Sequence, residues 1–193
     1  MSDLSSETVL PLLRGRLGRP YRFLESCPST QRLLDEDAPE GATVATDHQT
    51  AGRGRLGRTW EDAAGRAILA SIVLHPDAST ALWPELSLVA GEAVAEALRV
   101  ETGVDASLRH PNDVVVAGRK LVGVLPEAAR GRVVLGIGVN VNQTAAELPV
   151  EPVKPATSLR VELGREVERA PLLAAILLEL ERGYDAWLET HRR

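Results

Sequence analysis

Four stretches of the chain carry side chains able to act on a charged substrate. The first is Gly52-Arg53-Gly54-Arg55-Leu56-Gly57-Arg58. Guanidinium forks match phosphate and carboxylate oxygens bidentately, and glycines let ligand oxygens approach backbone amides. As a bare pattern the stretch satisfies G-x-G-x-x-G. The dinucleotide fingerprint also needs a strand before it and a helix after it. Here Asp47-His48-Gln49-Thr50 leads in, and Thr59 to Gly65 leads out toward a strand, so a Rossmann reading fails on context. A ligand-binding anion loop and a plain solvated basic loop remain. The second stretch is Arg109-His110-Pro111-Asn112-Asp113. Its Asn and Asp are either ligand contacts at a sheet edge or ordinary turn formers. His110 is either a general base or a packing residue.

The third stretch, Gly118-Arg119-Lys120-Leu121-Val122-Gly123-Val124-Leu125, sets a lysine at the head of an apolar strand. Of 22 basic residues only Lys120 and Lys154 are lysine, so a reaction needing an ammonium has two candidates. A compact ammonium suits a phosphoryl centre whose geometry changes, where a planar guanidinium adapts less. The opposing reading is a strand-end lysine pointing to water. The fourth stretch, Gly136 to Asn142, alternates. Ile137, Val139 and Val141 fall on one face; Gly136, Gly138, Asn140 and Asn142 fall on the other. A face of glycines packs poorly as core but admits a ligand closely; a bulged edge strand is the alternative.

These stretches need a scaffold. Met1 to Arg19 predicts an amphipathic helix with Leu4, Val9, Leu10, Leu13 and Leu17 near one face, broken at Pro20. Pro28-Ser29-Thr30 predicts the start of a second helix, Gln31 to about Asp37, with Ser29 or Thr30 as N-cap. Gly41 to His48 and Arg66 to His75 read as strands, with a loop over Gln49 to Ala64 between them. Leu82 to Thr102 reads as a long helix ended by Gly103. Ala106 to Arg109 reads as a strand, Val114–Ala117 and Lys120–Leu125 as a hairpin, and Arg132 to Asn140 as a further strand. Gln143 to Ser158 reads as a proline-bearing loop and Ala170 to Thr190 as a closing helix. Hairpins and helix-separated strands together imply an α/β (α+β) domain around a mixed sheet.

Composition bounds the rest. With 193 residues the chain suits one domain, and 44% apolar with 25% charged residues excludes disorder as the main state. One cysteine, Cys27, excludes an internal disulfide and fits a reducing cytoplasm. A net charge of −5 argues against a general nucleic-acid binder. The apolar runs Ala67–Leu74 and Pro171–Leu178 are too short for a bilayer span, and no signal peptide is expected. No Cys/His metal spacing occurs.

In their order along the chain, these segments resemble the catalytic domain of a biotin protein ligase. The match runs from Ser29-Thr30-Gln31 through Gln49 and the Gly-Arg loop, then Arg109–Asp113, Gly118–Leu125 and Gly136–Asn140. The resemblance implies a mixed sheet with helices mainly on one face, related to class II aminoacyl-tRNA synthetases. It implies ATP and biotin as substrates, Mg2+ with the ATP, biotinyl-5′-AMP as intermediate and a lysine of a biotin carboxyl carrier protein domain as acceptor. It further implies a single domain over residues 1–193, without the DNA-binding or small C-terminal β domain of some members, and permits a homodimer. Membrane and nucleic-acid partners are not expected.

By the same match, Ser29, Thr30 and Gln31 contact the biotin ureido ring, and Gln49, Gly52 and Arg53 contact biotin or the adenylate phosphate. Arg55 and Arg58 order the loop and hold phosphates. Lys120 is the catalytic lysine with Arg53 beside it, and Gly123 lies in the substrate site. Asn112, Asp113 and Asn140 serve the nucleotide. The loop is expected to be mobile without ligand and to close over the adenylate. Three residues depart from the family pattern. Arg109-His110 stands where Lys-Trp is usual, and Gln31 stands where Asn is usual. A lipoate- or octanoate-type ligase or transferase, and a biotin binder that has lost ligation, are the alternatives.

Overall fold

The computed structural model describes residues 2–150 and 155–191. Met1, at the head of the first predicted helix, and residues 151–154, with Pro152 and Lys154, lie outside the described residues. The strands are β1 (Tyr21–Leu24), β2 (Thr43–Thr46), β3 (Ala67–Leu74), β4 (Ala106–Arg109), β5 (Asp113–Val116), β6 (Arg119–Ala129) and β7 (Arg132–Asn140). The helices are α1 (Ser6–Val9), α2 (Leu86–Thr102), α3 (Leu159–Leu163) and α4 (Arg169–His191).

The strands form one seven-stranded sheet in the order β1-β2-β3-β7-β6-β5-β4. Only the β1–β2 pair is parallel. On α2 the apolar positions 86, 90, 94 and 97–98 recur at helical spacing, so the helix buries one stripe. Gly103 adopts φ +77° and its N–H reaches Arg99 O, which closes the helix. This stripe, with Leu173, Ile176, Leu177, Leu180 and Tyr184 of α4, packs on one face of the sheet against Ile68, Ile72, Leu121, Val122, Val124 and Leu135. The opposite face carries a smaller cluster, Leu34, Val44, Val73 and Val134. It is otherwise open to build a site. The mixed sheet is as the strand pattern predicts, and the helices mainly on one face are as the resemblance implies.

Four local readings change. Residues up to Arg19 do not make one helix: α1 is a single turn, followed by a 3-10 turn at Leu10–Leu12. Pro11 has no N–H to continue the helical ladder. The apolar spacing there reports burial, since Leu4, Val9, Leu13 and Leu17 all enter the core. The second predicted helix is only a 3-10 turn, Thr30–Arg32, and Ser29 makes no side-chain cap. Buried Arg132 donates to the carbonyls of Leu34 and Asp35, groups a continuing helix would use. β1 was not anticipated; its partner β2 lies 22 residues along the register. α3 interrupts the region after the proline-bearing loop, capped by Ser158 Oγ, which accepts from Val161 N–H at 3.1 Å.

Candidate active site

The tight connection Ala117-Gly118 is a two-residue turn with φ +47° and +76°, the backbone a hairpin of this length demands. It returns the chain as β6. The β5–β6 register runs Val114↔Val122 and then Val115↔Lys120, so Leu121 is an extra, unpaired residue. This bulge changes what the strand presents. Leu121 and Val122 both enter the core. Strict alternation would send Lys120 to that same core face with Val122 and Val124. The bulge instead turns Lys120 to the open face with Gly123, where bulges near sites commonly re-aim a side chain.

The open face holds a cavity of about 680 Å³, a size suited to a small-molecule substrate. Its floor is a pair of glycines. Gly123 and Gly138 lie directly opposite across β6 and β7. The Trp60 indole lies over both: a Cβ on Gly138 would sit 2.7 Å from its ring, and one on Gly123 2.8 Å. Lys120 Nζ stands 5.4 Å from the Trp60 ring centroid, in cation–π range. Trp60 Nε1 is buried without a hydrogen-bond partner. Sequence reasoning passed over Trp60. The signal available was a rare aromatic between the arginine loop and a glycine-faced strand.

Twelve of the thirteen predicted site residues line this cavity. Ser29, Thr30, Gln31 and Gln49 close one end. Thr30 N–H donates to Gln49 Oε1 at 2.9 Å, and the Thr30 and Ser71 hydroxyls are 2.7 Å apart. Gln31 Nε2 donates to Leu125 O at 3.0 Å, so its amide is anchored on β6. At the other end are Lys120, Asp113, Asn112 and Asn140. Gly52 is the exception. It sits buried behind the loop, where a Cβ would fall 2.4 Å from Trp60 O, and its carbonyl accepts from Trp60 N–H.

The loop lies over the cavity. Arg53 pairs with Thr59 as an isolated antiparallel bridge, and a 3-10 turn spans Arg55–Gly57. Arg53 Nη1 donates to Glu127 of β6 at 2.7 Å, and Arg55 Nη1 to Asn112 Oδ1 at 3.0 Å. Arg58 also borders the cavity. His110 faces elsewhere: it is exposed on the far side of Pro111 and borders a second cavity of about 520 Å³. Asn142 also turns away, pinning Val167 through both its amide atoms.

The electrostatics centre on Asp113. Its buried carboxylate takes Lys120 Nζ at 2.9 Å and Arg109 Nη2 at 3.2 Å. Burial pushes the carboxyl up, but the hydrogen bonds and charges of Lys120 and Arg109 outweigh it and hold it below its ordinary value. An ionised Asp113 aims the ammonium along the cavity wall. Asn140 spans to the segment after the undescribed residues: its Nδ2 donates to Thr157 O at 3.0 Å, and Lys120 exchanges backbone hydrogen bonds with Pro155 and Thr157. Among the described residues no group of His, Cys, Asp or Glu could hold a metal ion. The cations in the cavity fit an anionic substrate.

A mixed sheet with one face covered by helices and the other holding a cation-lined cavity under an arginine loop defines a protein built to bind an anionic ligand. A family model for the biotin/lipoate A/B protein ligases matches residues 23–143. The chain belongs to the biotin/lipoate A/B protein ligase family. It is 37% identical over 184 residues to the bifunctional ligase/repressor BirA of Bacillus spizizenii, covering 91% of this chain and 56% of that protein. It is 40% identical over 153 residues to the biotin–[acetyl-CoA-carboxylase] ligase of Mycobacterium tuberculosis, covering 77% of this chain and 56% of that one. The chain thus spans little more than half the length of these relatives. Among solved structures it is similar to biotin protein ligase from Aquifex aeolicus in complex with biotin and ATP, with a TM-score of 0.80 and 35% identity, covering 89% of this chain and 72% of that one.

Proposed function

We propose that this chain is the catalytic unit of an ATP-dependent biotin–protein ligase. The observation that carries the reading is the cavity itself. Residues from five separated stretches converge on it, with four cations, Arg53, Arg55, Arg58 and Lys120, at its walls. In this reading the end formed by Thr30, Gln31 and Gln49 takes the ureido ring of biotin, and the Trp60 indole packed on the two glycines borders its apolar chain. Asn112 and Asn140 flank the nucleotide, and Arg55 and Arg58 serve its phosphates. Asp113 holds Lys120 in place rather than meeting the nucleotide directly.

A biotin carboxylate oxygen attacks the α-phosphorus of Mg-ATP. The bond from that phosphorus to its bridging oxygen breaks, and pyrophosphate leaves with the electron pair. Negative charge grows on the nonbridging oxygens, and fixed donors nearby stabilise it. Lys120 and Arg53 supply those positive donors, with magnesium entering as part of the Mg-ATP substrate. In the second step the amine of a carrier-domain lysine attacks the biotinyl carbonyl carbon, the acyl–phosphate bond breaks, and AMP departs. The loop over the cavity protects the reactive anhydride from water. The cytoplasm, a carrier domain as partner and pairing as a homodimer belong to the same reading. Among the described residues no helix is long and apolar enough to cross a membrane.

The test needs no carrier. The protein is mixed with biotin and Mg-ATP, and pyrophosphate is followed alongside biotinyl-adenylate by mass spectrometry. Biotin-dependent adenylate is expected, falling by about 10²–10³-fold in Lys120→Ala, the cost typical of losing one transition-state donor. Adenylate formed from lipoate or octanoate instead, or no adenylate from folded protein, overturns the reading.

A further inference from the structure

We propose that Asp62 is a positioning residue for the biotin end of the cavity, acting through Gln49; the proposal rests on the ligase reading above. Asp62 lies on the outgoing limb of the arginine loop and does not border the cavity. Its side chain is wholly withdrawn from solvent. A carboxylate in that state is costly unless its oxygens are engaged. Both are. Oδ1 faces His48 Nδ1 at 2.6 Å, and Oδ2 accepts from the backbone N–H of Gln49 at 3.0 Å.

One carboxylate thus grips two consecutive residues of the incoming limb and closes the neck of the loop. Gln49 is fixed from the other side as well. Its neighbour in space is Cys27, which accepts from Thr50 N–H and donates to His48 O. With its backbone held, Gln49 directs Oε1 to Thr30, accepting from the amide at 2.9 Å and the hydroxyl at 3.3 Å. The Thr30 hydroxyl then meets Ser71 Oγ on β3. The line Asp62–Gln49–Thr30–Ser71 runs from a buried anchor to three groups that border the cavity. The nucleotide end, at Lys120, Asp113 and Asn140, shares no hydrogen bond with it. Asp62 therefore acts first on affinity for biotin, and reaches ATP handling only through the loop whose neck it closes.

The experiment measures KM for biotin and for ATP, and kcat for pyrophosphate release, in the wild-type chain and in Asp62→Ala, Asp62→Asn, Gln49→Ala and the Asp62→Ala/Gln49→Ala double variant. Biotin binding to the wild type is first measured by calorimetry. Loss of a buried hydrogen-bond anchor is expected to raise the biotin KM about 10-fold in Asp62→Ala. The ATP KM and kcat should stay within about 3-fold, because that end holds no bond to the anchor. Asp62→Asn keeps an acceptor for Gln49 N–H and should recover most of the loss, and it serves where the alanine variant does not fold. The double variant should be no worse than Gln49→Ala alone. A biotin KM unchanged in Asp62→Ala overturns the proposal, as do equal losses toward biotin and ATP or additive effects in the double variant. No biotin binding by the wild type overturns the ligase reading, and this proposal with it.

Discussion

Gly138→Ala adds one methyl group where the cavity floor has no room for it. The new Cβ would lie 2.7 Å from Cε2 and Cζ2 of Trp60. Carbon atoms in contact rest about 3.5–4.0 Å apart, so the indole must withdraw by roughly 1 Å. The ring lies close over Gly123 on the neighbouring strand as well. Overpacking of this kind costs about 1–3 kcal/mol. For a domain of this size that is a fall in Tm of roughly 2–4 °C per kcal/mol. The ring also carries the Lys120 ammonium on its face, so its retreat moves the charge. A misplacement near 1 Å beside the reacting atoms can cost about 100-fold in rate. Adenylate formation should therefore fall by about 10–100-fold. Thermal melting and pyrophosphate release measure the two effects. Trp60→Leu supplies the control, since a smaller side chain leaves space for the methyl. Wild-type melting and turnover in Gly138→Ala would refute the reasoning. So would an equal loss in the Trp60→Leu background.

Further outcomes follow from the same geometry. Asp113 is held below its ordinary value in the folded chain, so its pairing stabilises the fold fully above the unfolded carboxylate value, about 3.9, and that stability is lost as pH falls through the depressed folded value. Urea denaturation of wild type and Asp113→Asn should show a stability gap that is steady from about pH 5 to 8 and narrows in acid below about 4; a gap that widens in acid contradicts the pairing. Biotin with Mg-ATP should slow tryptic cleavage at Arg53, Arg55 and Arg58, read by mass spectrometry of the fragments; equal cleavage with and without ligands removes the idea that the loop closes. Arg132→Met strands the carbonyls of Leu34 and Asp35 and should lower stability by about 1–3 kcal/mol in denaturant titration, with no change if solvent replaces both bonds.

Patterns that are local in the chain were legible. Arg132 to Asn140 is both the predicted and the observed strand, as is Ala106 to Arg109, because each has its apolar period bounded by turn residues. The cavity residues were legible too, since arginine, lysine and asparagine on glycine-rich segments have few other uses in that order. What stayed hidden depends on partners distant in sequence. The helix expected after Thr30 yields to Arg132, about 100 residues away. The N-terminal leucines look helical, but a proline and a buried surface decide their path. Trp60 gains its place only when Gly123 and Gly138 meet across two strands. That Lys120 and Arg109 sit on the two oxygens of Asp113 becomes visible only once β4, β5 and β6 are side by side.

The unpaired Leu121 makes register, more than side-chain identity, the sensitive property of β6. Exchanging Leu121 or Val122 for another aliphatic residue alters packing and leaves the order of faces intact. Deleting either one restores strict two-fold alternation with Lys120 still on the cavity face, because the bulge already holds one residue in excess. Flattening the bulge with every residue kept does the opposite: Leu121 takes the cavity face and each residue before it changes side. The ammonium of Lys120, the only lysine among the described residues, would then point into the helix layer, and Asp113 would lose its partner. The strand works as a counting device with a single tolerated miscount, and a slip of one residue would keep the whole composition and lose the charge from the place where chemistry needs it.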